Sequence, residues 1–193
     1  MAIKQKEKTE MTRKELKNAA MHLFLNKGYE ETAMKDITDF AGYAVGTFYR
    51  HWKSKQQLLM ELWNDFASDF IQQSVENAPA HADKQEMIKY LIHRSNIFSE
   101  HEITQKLLLT SQILSAQSGY EDISEWAQHY TEMLYRFLRE SSGSQDEKSL
   151  RSMAAIMHTI LNAHAIQNVE PNIISHFDES TLSKCLLAMV NSL

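Results

Sequence analysis

Glu15 to Leu59 reads ELKNAAMHLFLNKGYEETAMKDITDFAGYAVGTFYRHWKSKQQLL, and its punctuation decides the fold. Leu16, Ala20, Leu23 and Phe24 recur at helical spacing and form one apolar stripe. Gly28 stands where a left-handed C-terminal cap belongs. A short second helix is expected from Thr32 to Ala41, burying Met34, Ile37 and Ala41 and stopping at Gly42. After a tight turn, Val45 to Trp52 form a third helix with Phe48 and Trp52 inward. Ser54-Lys55-Gln56-Gln57 is a capping box that opens a long fourth helix, which ends before Pro79. Two short helices joined by a glycine-containing turn make a helix-turn-helix. In such a unit the second helix can enter a DNA major groove while the first braces it. The helical wheel leaves Gly46, Thr47, Tyr49 and Arg50 facing outward.

The helical pattern continues on both sides. Thr12-Arg13-Lys14-Glu15 is a further capping box, which puts the start of the first helix at Thr12. Five more helices are expected over residues 83–98, 102–116, 121–140, 146–167 and 180–192, making about nine in all. Only 5 glycines and 2 prolines punctuate the 193 residues, so helices are free to run long. No segment alternates with the period of two that a strand requires. The expected fold class is all-α, with a three-helix N-terminal domain over residues 1–53 and a larger helical domain over 54–193.

Composition narrows the function. With 43% apolar residues the chain can bury a core. The lone Cys185 excludes an internal disulfide framework and fits a reducing compartment. On an apolar helix it reads as a small buried hydrophobe. The first residues lack the apolar run of a signal peptide, and no uncharged run approaches the roughly 20 residues of a membrane span. A soluble cytoplasmic protein is expected, with no membrane partner. The net charge of −5 conceals an asymmetry. Residues 1–55 hold eleven basic and seven acidic side chains, a local +4, so the remainder carries −9. An acidic protein with a basic N-terminal part is what a local polyanion site produces.

The ordered set Ala19-Ala20, Leu23-Phe24, Gly28-Tyr29, Thr32, Ile37, Ala41-Gly42, Gly46-Thr47-Phe48-Tyr49, Trp52-Lys53-Ser54-Lys55 and Leu58-Leu59 resembles the DNA-binding region of TetR-type transcriptional regulators. The resemblance implies a homodimer on a pseudo-palindromic operator, acting as a repressor and released by a small-molecule effector. It assigns DNA contacts to Thr32, Ala33, Tyr43, Ala44, Val45, Gly46, Thr47, Tyr49, Arg50, His51, Lys53 and Lys55. Tyr49 and Lys55 would contact phosphate, Thr47 and His51 phosphate or base edges, and Val45 a base edge. These roles suit the chemistry, since lysine and tyrosine position a protein on the backbone while base edges carry sequence. Three features depart from the usual pattern. Ala44 cannot cap the third helix, Ala33 stands where a second threonine is usual, and Thr38 and Phe40 replace alanines.

The same resemblance implies an effector pocket and a dimer face in the C-terminal domain. For the pocket, Tyr90, His93, Arg94, Trp126 and Tyr130 are candidates, each joining apolar area to a polar tip, so the expected effector is largely apolar. For the dimer face, Met153, Met157, Ile160, Leu161, Leu182, Leu186 and Met189 lie on the last two helices, whose apolar surface is wider than one stripe. Nine histidines raise an alternative from another class, a helical-bundle metal protein or enzyme. His93, His129 and His158 could share a site, but no HExxH, Glu-x-x-His pair or Cys/His cluster gives ligand spacing. No catalytic residue, metal or cofactor is therefore expected.

Overall fold

A computed structural model describes residues 2–79, 82–118, 124–172 and 176–193. Among these the chain is all helical, as expected: α1 (Ala2–Asn26), α2 (Met34–Phe40), α3 (Val45–Phe48), α4 (Lys55–Glu76), α5 (Lys84–Glu100), α6 (Glu102–Ser118), α7 (Ser124–Ser142), α8 (Glu147–Val169) and α9 (Glu179–Asn191). Residues 121–123, read as the start of the seventh helix, lie outside the described residues. Packing gathers the chain into two compact units, Met1–Asp65 with Lys106–Tyr120 and Phe66–Gln105 with Glu121–Leu193. The division expected at residue 53 follows the end of the helix-turn-helix, whereas the packed units divide within α4 and α6.

In the first unit α1 begins at Ala2, well before Thr12. The Thr12 hydroxyl donates to the Lys8 carbonyl at 2.9 Å, as Thr9 does to Gln5, so neither residue caps a helix start. A threonine inside a helix bonds back one turn in this way. The lysines and glutamates before it are good helix formers, and Glu15 of the expected box accepts the Tyr43 hydroxyl instead.

The second helix starts later than the sequence suggests. Thr32 turns its hydroxyl onto the Gly28 carbonyl at 2.7 Å, and Ala33, in extended conformation, becomes the N-cap. The helix ends in a Schellman motif: Tyr43 N–H bonds to Thr38 O at 2.8 Å and Gly42 N–H to Asp39 O at 3.2 Å. Gly42 takes φ +77°, a conformation that nearly any side chain would strain. This turn sets the angle between α2 and α3. At the start of α4 Ser54 caps the helix, accepting the Gln57 N–H on Oγ at 3.1 Å, while Gln57 Oε1 reaches one residue past the N-cap to accept the Lys53 N–H at 2.7 Å. Leu16, Phe24, Ile37, Phe48, Trp52, Leu58 and Leu59 fill the core beneath these elements. Each such side chain is worth about 1.5–3 kcal/mol of burial.

In the second unit α8 packs on α5 and α7, and α9 packs on the same two helices. Asp83, Asp146 and Asp178 cap α5, α8 and α9 by accepting the amides of Glu86, Ser149 and Thr181. Leu91, Leu134, Leu138, Leu150, Met157, Leu161, Leu182 and Leu186 meet in one cluster.

That cluster corrects the expected dimer face. Met157, Leu161, Leu182 and Leu186 are at most 2% exposed, because the inner stripes of α8 and α9 fill the protomer's own core. Met153, Ile160 and Met189 are only partly covered, and Ile156 is 50% exposed. Cys185 is exposed rather than buried, lying off the Leu182–Leu186–Val190 stripe.

Candidate nucleic-acid interface and effector cavity

The helix-turn-helix presents a small polar face. Tyr49 is 52% exposed, and Ala33, Ala44, Gly46, Arg50 and Lys53 are exposed with it. Tyr43, Val45 and His51 are half-buried along its margin. Two of the expected contact residues are not presented. Thr32 is 1% exposed and its hydroxyl is already bonded. Thr47, placed outward by the helical wheel, is 7% exposed because Arg50 folds back over it, its guanidinium donating to Thr47 Oγ1 at 3.0 Å. A helix as short as α3 leaves the wheel little authority, since the turn after it shields part of its outer face.

Lys55 is held rather than free. Its ammonium donates to the carbonyls of Tyr29 at 2.6 Å and Glu30 at 3.3 Å and sits 4.1 Å from the Tyr29 ring centre. It thus fastens the start of α4 to the chain after α1. An ammonium has three donors, of which these carbonyls take two. Lys27 and Lys35 pair with Asp36 and Asp39, which removes two cations from the positive face.

A cluster absent from the sequence reading supports this face. Glu61 on α4 accepts Trp52 Nε1 at 2.7 Å and Lys17 Nζ at 2.8 Å, and forms a bidentate pair with Arg13. The Arg13 guanidinium also lies 5.0 Å from the Trp52 ring centre. Burial resists ionisation of Glu61, but the hydrogen bonds from Lys17, Trp52 and Arg13 outweigh it and hold the carboxyl below its ordinary range. The signal was there in part: Arg13 and Lys17 lie one turn apart, and Glu61 is a lone acid flanked by Met60 and Leu62.

The second unit encloses a cavity walled by α4, α5, α7 and α8, among them Phe70, Arg94, Trp126, Tyr130, His158 and Leu161. Arg94 lies 4.1 Å from the Phe70 ring centre and donates to Ser74 Oγ at 2.9 Å and Phe70 O at 3.3 Å. Trp126 and Tyr130 set ring edges against His158, at 5.8 and 5.1 Å between centres. Burial pushes the Tyr130 phenol well up and the His158 imidazole down, so both are neutral near pH 7.

Three of the five expected pocket residues, Arg94, Trp126 and Tyr130, come together here. Tyr90 lies on an adjoining outer groove, with its hydroxyl on Ser74 O at 2.6 Å. His93 is exposed and lines a separate hollow with Asn96 and Glu179, on the face of α5 away from the cavity. His93, His129 and His158 line three different hollows, and no group of three His, Cys, Asp or Glu suited to a metal occurs among the described residues. Among those residues no helix is long and apolar enough to cross a membrane.

The family model for bacterial regulatory proteins of the tetR family matches residues 16–62, the stretch from the first apolar stripe into α4. The HTH-type transcriptional repressor KstR2 of Mycolicibacterium smegmatis is 41% identical over 54 residues, 28% of this chain and 26% of that protein. The chain therefore spans about a quarter of that relative's length. The fatty acid metabolism regulator protein of Bacillus subtilis is 27% identical over 136 residues, 68% of each chain. Among solved structures, Thermus thermophilus FadR, a repressor in complex with lauroyl-CoA, superposes with a TM-score of 0.66 at 18% identity, over 94% of this chain and 95% of that one, a likeness of fold. With the helix-turn-helix, its Schellman turn and these matches in agreement, residues 16–62 form a DNA-binding domain of the tetR family type, and the chain around it is similar in fold to regulators of that family.

Proposed function

We propose that the protein is a homodimeric, ligand-responsive DNA-binding regulator of the cytoplasm, a repressor that a largely apolar effector releases from a pseudo-palindromic operator. Residues 1–53 carry the DNA contact and residues 54–193 the effector and the dimer. The observation that carries this reading is the exposed face of Tyr49, Arg50 and Lys53 on a helix-turn-helix with a fixed turn angle. A helix presented in this way enters the major groove, and two copies reach successive turns about 34–36 Å apart. The repressor activity named for the KstR2 relative supports the sign of regulation.

Dimerisation falls to the outer faces of α8 and α9, where Met153, Ile156, Ile160 and Met189 leave apolar area uncovered. The effector enters the cavity around Trp126 and Tyr130, and the lauroyl-CoA bound by the Thermus thermophilus neighbour favours a ligand with an aliphatic chain. Only an effector with different affinity for two states of the dimer can release DNA.

The test is anisotropy of labelled DNA from the region upstream of the protein's own gene, at several salt concentrations, with and without lauroyl-CoA. Specific, salt-sensitive binding by a species of dimer mass is expected. Affinity no higher than for unrelated DNA would reject the regulator reading.

A further inference from the structure

Inside the second compact unit a single cation faces an apolar hollow that no carboxylate lines. Arg94 is anchored by Ser74 Oγ, Phe70 O and the Phe70 ring, which hold the guanidinium in place without neutralising it. A guanidinium carries five N–H donors, so these contacts leave donors over. Trp126, which lines the same cavity from α7, has its Nε1 buried with no hydrogen-bond partner. The Tyr130 phenol, kept protonated by burial, is a further donor. His158 is held neutral and adds no second positive charge.

A buried donor without an acceptor costs stability, and a cation facing low dielectric without a counter-ion costs more. The cavity is therefore unbalanced in one direction: it has donors and one positive charge, and it lacks an anion. Its lining is almost wholly aromatic and aliphatic, from Phe70, Leu91, Phe98, Met133 and Leu161. Such a lining suits an aliphatic body, and an unbranched chain asks least of close-packed walls.

We infer that the cavity takes a monocarboxylate on a slim aliphatic body, with the carboxylate on Arg94 and the indole N–H of Trp126. This deepens the effector reading above and rests on it. A carboxylate there takes guanidinium donors that Ser74 Oγ and the Phe70 carbonyl, both on α4, leave over. A free acid and an acyl thioester share the chain and an acceptor oxygen. Only the acid brings the negative charge to Arg94.

The test is calorimetric titration of the full-length protein with dodecanoate, dodecan-1-ol, dodecyltrimethylammonium and lauroyl-CoA. Dodecanoate is expected to bind at least about tenfold tighter than the alcohol, the scale of a charge-assisted hydrogen bond. In Arg94→Met that margin should collapse while the alcohol's affinity holds, and Trp126→Phe should remove part of it. Arg94→Lys, which keeps the charge, should keep some of the margin and serves if Arg94→Met does not fold. Equal binding of acid and alcohol, preference for the ammonium, or a margin that survives Arg94→Met overturns the inference and leaves the effector reading standing. Tight lauroyl-CoA binding with no preference for dodecanoate over the alcohol does the same. If none of the four probes binds, the effector reading of the cavity falls and this inference with it.

Discussion

Trp52 Nε1 donates to Glu61 Oε2 at 2.7 Å, joining the end of the recognition element to the first half of α4. Lys17 and Arg13 bind the same carboxylate from α1, so three elements of the first unit meet on one acid. Glu61→Gln keeps the shape but removes the charge that Arg13 and Lys17 face. A loss of about 1–3 kcal/mol is expected, since hydrogen bonds to charged groups are worth that much. DNA affinity should fall with an unchanged salt slope, because no phosphate contact is removed. Unaltered denaturant midpoint and affinity would show that the cluster does not position the DNA-binding face.

How much of this was legible in the sequence follows from how local each signal is. Gly42 and the Ser54 cap act within a few residues, and both stop or start a helix as read, although Gln57 returns its bond to Lys53 rather than to Ser54. The Thr12 box has the same letters but lies in a run of good helix formers, and the hydroxyl bonds back instead. Burial was legible as a stripe but not by partner. The apolar sides of α8 and α9 read as a dimer face, yet Met157, Leu161, Leu182 and Leu186 fill the protomer's own core, because a stripe's period does not name the partner it packs against. Arg94, Trp126 and Tyr130 were identified from their chemistry and meet in one cavity, whereas His93 is one residue from Arg94 and points to the other side of α5. Adjacent residues on a helix differ by about 100° in direction, which composition arguments ignore.

On the DNA face the charged and neutral contacts should separate by salt. Lys53 is exposed, and Lys53→Ala removes one cation per protomer, two per dimer. The slope of log K against log salt should then flatten by about 1.8 units. Tyr49→Phe removes a neutral donor, so binding should weaken by roughly 1 kcal/mol with the slope unchanged. A flattened slope for Tyr49→Phe would mean that the variant has displaced a lysine or arginine from the DNA.

Core and dimer face should respond differently to charge. Met157→Lys and Leu186→Lys place an ammonium among fully buried side chains, at a cost of several kcal/mol. Loss of the cooperative thermal transition is expected. Ile156→Glu and Ile160→Glu alter the outer face of α8 and should leave helix content intact while shifting sedimentation from dimer to monomer. A monodisperse dimer of Ile156→Glu at low micromolar concentration would move the interface off this face.

Acid should weaken the second unit before its carboxylates titrate. Burial lowers the pKa of His158 below its ordinary 6.5. His164 shifts the same way, from burial first, with Glu179 opposing and His176 adding to it. Its Nδ1 lies 3.1 Å from Ser95 Oγ in the core. A depressed folded-state pKa means that the unfolded chain takes up protons first as pH falls. The stability both groups confer as neutral rings is therefore complete above about pH 6.5 and is lost as pH falls through their folded values. In the first unit His51 shifts in the same direction, through burial and then the charges of Arg13 and Arg50, with Glu61 opposing. Calorimetric melting should accordingly show a midpoint that is flat above neutrality and declines from about pH 6.5 downward. His158→Gln cannot be protonated in this range, so its profile should decline less steeply even if its midpoint at pH 8 is lower. A wild-type profile that stays flat down to the carboxylate range would mean that folding holds none of the three imidazoles neutral.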